Sequence, residues 1–207
     1  MDINTRLSKP NVQAAGTGIV LDPSGHVLTN NHVINGATSI TVTDIGNGQT
    51  YPATVLGYDS THDIAVLQLQ GASGLATALI GDSGTVDVGE EIAAIGNAGG
   101  RGGTPSIAGG RVTALHQTVT VRDDIAGTSQ QLTGMIRVAA DVQPGESGGP
   151  LVNATGQVVG VITAGPDRAE SGAAGGEGLA IPINDAIAIS RQIETGTPSS
   201  SVHVGPP

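Results

Sequence analysis

Residues 143–151 read QPGESGGPL, and this stretch decides which fold can present its serine. Glycines frame Ser147 and Pro150 follows it, so the run disfavours a helix and leaves the serine hydroxyl on a tight turn. The backbone N–H groups of such a turn are uncovered and can stabilise a developing oxyanion. We therefore predict that Ser147 is an acyl-transfer nucleophile.

Residues 145–149 also match the G-x-S-x-G pattern of the nucleophile elbow in α/β-hydrolases. That elbow leads directly into a helix, and an acid and then a histidine follow it in the chain. Here Gly148, Gly149 and Pro150 oppose a helix, and the only later histidine is His203 in the C-terminal tail. An esterase of this type is therefore a distant alternative, and the general base must precede Ser147.

Four histidines precede the serine, and they are His26, His32, His62 and His116. His32 follows a predicted strand, where its imidazole can face a cleft. Asp63, which directly follows His62, heads the apolar run DIAVL; it lies 31 residues after His32 and 84 before Ser147. His, Asp, Ser is the chymotrypsin order among three unrelated orders of this triad. The pattern predicts a catalytic triad of His32, Asp63 and Ser147.

Short stretches rich in valine and isoleucine alternate with turn signals about every ten residues, which predicts an all-β chain. The absence of Phe and Trp means that Val, Ile, Leu and Ala must fill the core. Residues 184–194 (NDAIAISRQIE) predict a C-terminal helix capped by Asn184. The glycine-rich stretch 96–103 marks the expected boundary between two halves, and residues 196–207 are expected to form an exposed linker.

The formal net charge is −10 with one lysine and seven arginines, so no basic patch for nucleic acid is expected. The chain has no cysteine, which excludes disulfides, thiolate catalysis and zinc–thiolate sites. No run approaches 18 consecutive apolar residues, so we expect no membrane span.

Three ordered motifs, LTNNHV at 28–33, DIAVL at 63–67 and PGESGGP at 144–150, resemble those of trypsin-like serine proteases of the HtrA/Deg type. The resemblance covers most of residues 15–190 and looks closest to the secreted actinobacterial branch, which includes mycobacterial PepA-like proteases. It implies two six-stranded antiparallel β-barrels (chymotrypsin-like) with the active site between them and a short C-terminal helix. On this basis residues 1–97 would form the barrel with His32 and Asp63, and residues 98–195 the barrel with Ser147. Residues 196–207 would be a linker stub, with the PDZ domain of many family members absent.

The resemblance also implies a serine endopeptidase in which Ser147 attacks, His32 transfers protons and Asp63 orients the imidazole. The N–H groups of Gly145 and Ser147 would form the oxyanion hole, and no metal or cofactor is needed. Implied partners are unfolded or exposed polypeptide substrates, with a homo-oligomer as an open alternative. The implied location is secreted or cell envelope, with the signal peptide removed.

The specificity pocket leaves two alternatives open. Asp141 lies six residues before Ser147, where trypsin-like proteases that cut after Lys or Arg carry their specificity aspartate. HtrA-type enzymes usually have a small residue there and prefer aliphatic P1 residues. The other pocket walls are expected from residues that are small and mostly apolar: Val142, Thr163, Ala164 and Gly165.

Glu146 departs from the family pattern, in which this position is usually Asp, paired with a newly freed N-terminus, or Asn. The Glu146 side chain is expected either to point to solvent or to disturb the turn at 145–147, and activity is expected without zymogen processing. Loops 96–109, 121–133 and 165–178 flank the expected cleft. Local mobility is expected in stretches such as 172–176, which have few side chains to pack, with a tolerated surface insertion as the open alternative. Glu146 and these loops motivate an alternative function, a protein-binding or chaperone-like module with low catalytic activity.

Overall fold

The structure, a computed structural model, describes residues 1–7, 13–123, 128–163 and 176–207, with the backbone alone for 121–123 and 128. These ranges form two antiparallel β-sheets and two α-helices, α1 (Asn31–Ile34) and α2 (Ile183–Glu194). Short 3₁₀ turns lie at Ser83–Thr85 and Ala98–Gly100. The chain is therefore predominantly β, as its short alternating strands predict.

The first sheet is a ring of six strands with one added at its side. Its strands are β1 (Asp2–Leu7), β2 (Gln13–Thr17), β3 (Ile19–Val20), β4 (His26–Thr29), β5 (Ala37–Thr43), β6 (Thr50–Asp59), β7 (Ile64–Leu69) and the C-terminal β14 (Val202–Val204). They pair in the order β2-β1-β5-β6-β7-β4-β3, and β14 pairs with β6. Gly18 alone separates β2 from β3, so these two segments act as one strand that closes the ring. A Cβ at Gly18 would collide with the Val27 side chain, which explains the glycine.

The second sheet is a closed six-stranded barrel. Its strands are β8 (Glu91–Gly96), β9 (Ser106–Asp123), β10 (Thr128–Ala139), β11 (Pro150–Asn153), β12 (Val158–Thr163) and β13 (Gly178–Pro182). They pair in the order β10-β13-β12-β11-β8-β9, with β9 closing on β10. The prediction of an all-β chain with two six-stranded antiparallel barrels and a C-terminal helix is confirmed.

The strand pairing divides the chain at a different place from the predicted boundary at residue 97. Strand β8 pairs with β9 and β11, so residues 91–96 belong to the second barrel. The glycine-rich stretch 96–103 therefore lies between two strands of the same barrel, β8 and β9, and does not join the two barrels. A strand belongs to the barrel of its hydrogen-bonded partners, whatever the composition of the loop that follows it. Residues 202–204 are likewise a strand of the first sheet, where Val202 is opposite Asp59, rather than part of an exposed linker.

The buried apolar residues form three clusters, and one of them joins the two barrels. One fills the interior of the first barrel and one fills that of the second. The third combines residues of β3, β4 and β7 with residues of β10, β12, β13 and α2. Valine, isoleucine and leucine dominate all three, as the lack of large aromatic residues requires. The barrels therefore share a continuous apolar contact, which fixes the relative position of the groups that each contributes to the cleft.

Helix α2 covers this shared contact with an apolar stripe. Ile183, Ala186, Ile189 and Ile193 recur at helical spacing and are buried. The helix begins at Ile183, one residue before the predicted start, and Asn184 does not cap it. Asn184 Nδ2 instead donates to Asp82 Oδ1 at 2.7 Å, so the asparagine joins α2 to the segment between the barrels. No helix in the described ranges is long and apolar enough to cross a membrane.

Candidate active site

Strand register brings His32 to Asp63. Strand β4 leads through Asn30 into α1, whose second residue is His32, and β7 begins directly after Asp63. The two strands pair with Thr29 opposite Ala65, so the residues just beyond the end of β4 lie beside those just before β7. Residues 31 positions apart in the chain therefore meet at one edge of the first barrel.

The backbone of Asp63 is held in a left-handed conformation, with φ of 56°. Its carbonyl accepts hydrogen bonds from the Asn31 N–H (3.2 Å) and from Asn30 Nδ2 (2.9 Å). Aspartate tolerates positive φ better than most residues, and the two donors stabilise it there. This conformation turns the chain sharply between the end of β6 and the start of β7.

The Asp63 carboxylate is buried and accepts three hydrogen bonds. Oδ1 accepts from the His32 backbone N–H at 2.9 Å, and Oδ2 lies 2.8 Å from His32 Nδ1. Oδ2 also accepts from Thr163 Oγ1 at 2.9 Å. A carboxylate at Nδ1 requires the proton on that nitrogen, so the lone pair of the neutral imidazole is on Nε2. The predicted pairing of His32 with Asp63 is present in the structure.

The turn that carries Ser147 is bonded to both barrels. The Thr17 N–H of β2 donates to the Ser147 carbonyl at 2.8 Å, and the Gly148 N–H donates to the Ile162 carbonyl of β12 at 2.7 Å. Gly148 has φ of 83°, and a Cβ there would collide with Thr17 and Thr29. The glycine after the serine is therefore required both by its backbone conformation and by this close approach. The half-buried Ser147 thus lies where the two barrels meet.

The peptide bond before Gly145 has a defined orientation. The Pro144 carbonyl accepts from the Gly99 N–H at 2.7 Å, and a trans peptide bond therefore directs the Gly145 N–H to the opposite side. The Gly145 carbonyl accepts from Thr17 Oγ1 at 2.8 Å. Within the residues that the structure describes, the N–H groups of Gly145 and Ser147 donate to no protein acceptor. The role predicted for these two N–H groups, binding an oxyanion, stays a prediction.

Glu146 is almost fully buried, with 1% of its surface exposed, so the expectation that it points to solvent is wrong. Its Oε1 lies 2.5 Å from Ser106 Oγ, and its Oε2 accepts from the Gln143 N–H at 2.8 Å. Both carboxylate oxygens have a donor, and the peptide bond before Gly145 has the orientation described above. The sequence alone did not reveal Ser106, because nothing in its local pattern distinguishes it from other surface serines.

The residues predicted to line the specificity pocket do not share one environment in the structure. Thr163 contacts Asp63 through its hydroxyl, a role that the sequence analysis missed although Thr163 is the one polar residue in β12. Val142 packs on the apolar cluster of the second barrel. Asp141 is exposed, and both its Cα and its carboxylate Oδ1 lie beside Gly176. Ala164 and Gly165 lie outside the described residues, as do residues 124–127 and 165–175 of two loops that were expected to flank the cleft and, in part, to be mobile.

Two of the other candidate bases, His26 and His62, have carboxylate partners elsewhere. His62 Nδ1 lies 2.8 Å from Asp59 Oδ2, so His62 does not pair with its neighbour in sequence. His26 Nδ1 lies 2.5 Å from Asp22 Oδ2 and 3.4 Å from Glu194 Oε1. Among the described residues, only Asp22, His26 and Glu194 bring three side chains of metal-binding type within 4.8 Å of one another. This group joins the β3–β4 turn to the end of α2 and includes none of the predicted triad.

Hydrogen bonding lowers the pKa of Asp22. Partial burial on its own would raise the pKa of this carboxyl group, but hydrogen bonds from the side chain and N–H of Ser24 and from the His26 N–H outweigh that effect. The charge of His26 acts in the same direction. The Asp22 carboxylate is therefore favoured in the folded protein.

A family model described as a trypsin-like peptidase domain matches residues 16–161. The chain is 39% identical over 201 residues to serine protease PepD of Mycobacterium tuberculosis, covering 89% of this chain and 42% of PepD. It is 36% identical over 182 residues to the periplasmic pH-dependent serine endoprotease DegQ of Escherichia coli, covering 87% of this chain and 37% of DegQ. The chain thus spans about two fifths of the length of these relatives.

The fold is similar to that of a solved HtrA-type protease, AlgW with a tripeptide. The TM-score is 0.78 at 30% sequence identity, and the match covers 95% of this chain and 60% of AlgW.

Proposed function

Because the chain belongs to the trypsin-like peptidase domain family and has HtrA-type relatives, we propose that it is a serine endopeptidase that works through an acyl-enzyme. One observation carries the proposal. The buried Asp63 carboxylate holds the His32 ring by Nδ1, at the junction of the barrels where a glycine-framed turn presents Ser147. That arrangement suits a nucleophile, a base and an orienting acid.

In the proposed reaction, Ser147 Oγ attacks the carbonyl carbon of the scissile peptide bond while His32 Nε2 accepts the hydroxyl proton. His32 then donates this proton to the leaving amine as the C–N bond breaks, which leaves an acyl group on Ser147. A water molecule, deprotonated by His32, hydrolyses the ester and restores the serine. Asp63 keeps the proton on Nδ1 and stabilises the imidazolium that forms in each step.

The N–H groups of Gly145 and Ser147 are proposed to bind the oxyanion of each tetrahedral intermediate. Support comes from the orientation of the Pro144–Gly145 peptide bond and from the lack of a protein acceptor for either N–H in the described ranges. In comparable sites one such donor contributes roughly 10²–10³ to kcat.

We propose unfolded or exposed polypeptide segments as substrates, and a secreted or cell-envelope location, in keeping with the periplasmic endoprotease DegQ among the relatives. The P1 preference remains a choice between aliphatic and basic side chains. The exposed Asp141 carboxylate favours the aliphatic choice, because a specificity aspartate acts from within a pocket. Paired peptides with P1 Val and P1 Arg test this: a preference for Arg that is lost in Asp141→Ala would support the basic choice.

The test of the proposed activity is hydrolysis of casein together with active-site labelling by a peptidyl organophosphonate. We expect turnover, stoichiometric labelling at Ser147, and a loss of roughly 10⁴-fold or more in kcat for Ser147→Ala. Ser190→Ala is the matched control, because Ser190 is a buried serine whose hydroxyl, among the described residues, bonds only to backbone carbonyls within α2. Hydrolysis that persists in Ser147→Ala would contradict the mechanism.

The structure gives the alternative of a protein-binding module with low activity less support than the sequence did. This alternative was motivated by an expected distortion of the turn by Glu146 and by the loops that flank the expected cleft. Since both oxygens of that carboxylate have donors, Glu146 gives no reason to expect a misformed site.

A further inference from the structure

Glu146 is a buried carboxylate without a cationic partner. Its exposed fraction is 1%, and among the described residues no cationic side chain and no N-terminus lies within 4.0 Å of its oxygens. Burying a carboxylate lowers the stability of the fold unless its oxygens accept hydrogen bonds. The groups around a buried carboxylate must therefore supply donors in fixed positions. Here the donors are neutral, namely the Gln143 N–H and the Ser106 hydroxyl.

The first donor closes the turn that contains the proposed oxyanion hole. The Gln143 N–H donates to Glu146 Oε2 at 2.8 Å, and the Glu146 N–H donates back to the Gln143 carbonyl at 3.1 Å. The Glu146 carbonyl accepts from the Gly149 N–H at 2.9 Å. Gly145 and Ser147, the two proposed oxyanion donors, lie on either side of Glu146. Its side chain and backbone therefore restrict the peptide groups on which the hole depends.

The second donor ties the turn to the segment between β8 and β9. Ser106 Oγ lies 2.5 Å from Glu146 Oε1 and 2.6 Å from the Gly96 carbonyl, so its single proton is shared between these two acceptors or donated to one of them, and the contact with Glu146 uses it. The same oxygen accepts from the Ala98 N–H at 3.3 Å. The same segment supplies the Gly99 N–H that binds the Pro144 carbonyl. Ser106 thus connects Glu146 to the stretch of chain that sets the direction of the Gly145 N–H.

The glutamate also requires room at Gly96. A Cβ at Gly96 would lie 2.8 Å from Glu146 Cα and 2.9 Å from Glu146 Cβ, closer than such atoms approach in proteins. A shorter aspartate would withdraw the carboxylate by one methylene and could not reach Ser106 and the Gln143 N–H in the same way. Gly96, Ser106 and Glu146 are therefore complementary in size and hydrogen bonding.

We propose that Glu146 is a positioning residue that holds the oxyanion hole in its formed state through Ser106. The neutral donors replace an ion pair with a cleaved N-terminus, so the turn needs no proteolytic activation. This inference rests on the proposed endopeptidase function. Glu146 touches no reacting atom and acts only through the peptide groups of Gly145 and Ser147.

The test compares Ser106→Ala and Glu146→Gln with the wild type and with Ser190→Ala. Ser106→Ala removes a single hydroxyl from the proposed contact, and Ser190→Ala removes one from α2, away from the turn. We expect kcat on a peptide substrate to fall roughly ten- to hundred-fold in both test variants, with KM within about twofold, because the hole acts on the transition state. Ser190→Ala should keep the wild-type kcat.

A peptide aldehyde provides the readout that a merely structural role would not change, because its adduct with Ser147 places an oxyanion in the hole. Its Ki should rise in Ser106→Ala by the same factor as kcat falls, while binding of an uncleaved peptide to the Ser147→Ala background stays unchanged. The double variant should be no slower than the slower single variant, since both changes break one contact. If Glu146→Gln does not fold, Ser106→Ala alone decides.

Two failures are distinguishable. If the wild type is labelled by the organophosphonate and cleaves casein, but Ser106→Ala retains both kcat and the aldehyde Ki, only the role of Glu146 and Ser106 is overturned. If the wild type is neither labelled nor active, the endopeptidase function is overturned, and the inference about Glu146 with it.

Discussion

Two histidine–aspartate pairs lie next to each other in this protein and have the same geometry at the contact. His32 Nδ1 and His62 Nδ1 are each 2.8 Å from an aspartate Oδ2, of Asp63 and Asp59 respectively. Both carboxylates are buried, with side-chain exposures of 5% and 1%. Neither the contact distance nor the burial of the acid distinguishes the proposed catalytic pair from its neighbour.

The difference lies in where the other partners come from. Asp59 Oδ1 accepts from the N–H groups of Thr61 and His62, so this pair is completed within four residues and closes a turn. Asp63 instead binds the hydroxyl of Thr163, 100 residues away in the second barrel. The local pair shapes the backbone before Asp63, whereas the long-range pair orients an imidazole at the cleft. A histidine–aspartate contact indicates a catalytic role only together with what surrounds it.

The largest expected effect is the difference in kcat between Asp63→Asn and Asp59→Asn. Asp63→Asn keeps the shape and the tolerance of positive φ but favours the wrong tautomer of His32, so kcat should fall about 10⁴-fold. Asp59→Asn retains an acceptor for the N–H groups of Thr61 and His62, so we expect kcat within about threefold and a loss of stability below about 1.5 kcal/mol. Peptide hydrolysis and urea unfolding measure both.

A loss of more than about 10²-fold in kcat for Asp59→Asn, at unchanged stability, would contradict this division of roles. It would mean that the turn from Asp59 to Asp63 works as one unit with the triad. Gln130 of β10 also donates to the Thr61 carbonyl of this turn at 2.9 Å, so the second barrel contacts the backbone beside Asp63.

Thr163 should have an intermediate effect. Thr163→Val removes the hydroxyl that donates to Asp63 Oδ2 and keeps the shape of the side chain, so the carboxylate orients His32 less firmly. We expect kcat to fall roughly tenfold, the scale of one hydrogen bond to a charged group. Thr163→Ser retains the hydroxyl and is the matched control. Equal kcat values for the two variants would show that the packing of Thr163, not its hydrogen bond, is what matters.

The third pair, His26 with Asp22, should affect only stability, and only weakly. The pKa of Asp22 is lowered in the folded state, so its contribution is present above the unfolded value of about 3.9 and is lost as pH falls through the folded pKa. With a third of its side chain exposed, Asp22→Asn should cost no more than about 1 kcal/mol at pH 7. Urea unfolding at pH 7, 5 and 3 measures this. A difference that stays constant down to pH 3 would rule out the ionised form as its cause.

The parts of the fold that sequence reasoning predicted are those with local signals. Short alternating strands with frequent turns indicate an all-β chain, and alanines and isoleucines at helical spacing indicate α2. The boundary between the barrels was misplaced because β8 is assigned by its pairing with β9 and β11, and a glycine-rich loop carries no information about those partners. Asn184 has the composition of a cap but binds Asp82, a partner 102 residues away.

In the candidate site, too, the sequence predicted the features that have a local signal and missed those that depend on a distant partner. The order of His32, Asp63 and Ser147 pointed to the triad, and the glycines around Ser147 pointed to a tight turn. The role of Thr163 was missed and one of two expectations for Glu146 was wrong, because the decisive partners of these residues lie 100 and 40 positions away. Hydrogen bonds act over about 3 Å, and a separation in sequence does not set a distance in space.

The amino-acid sequence by itself determined which chemical groups this protein has and their order along the chain: an imidazole, a carboxylate and a serine hydroxyl on a turn that cannot become a helix. Only the tertiary structure decided which groups meet. His62 is adjacent to Asp63 in the chain but binds Asp59, whereas His32 reaches Asp63 through the register of β4 on β7. The physical reason is that strand pairing and the left-handed backbone of Asp63 set side-chain directions, and these directions select the partner.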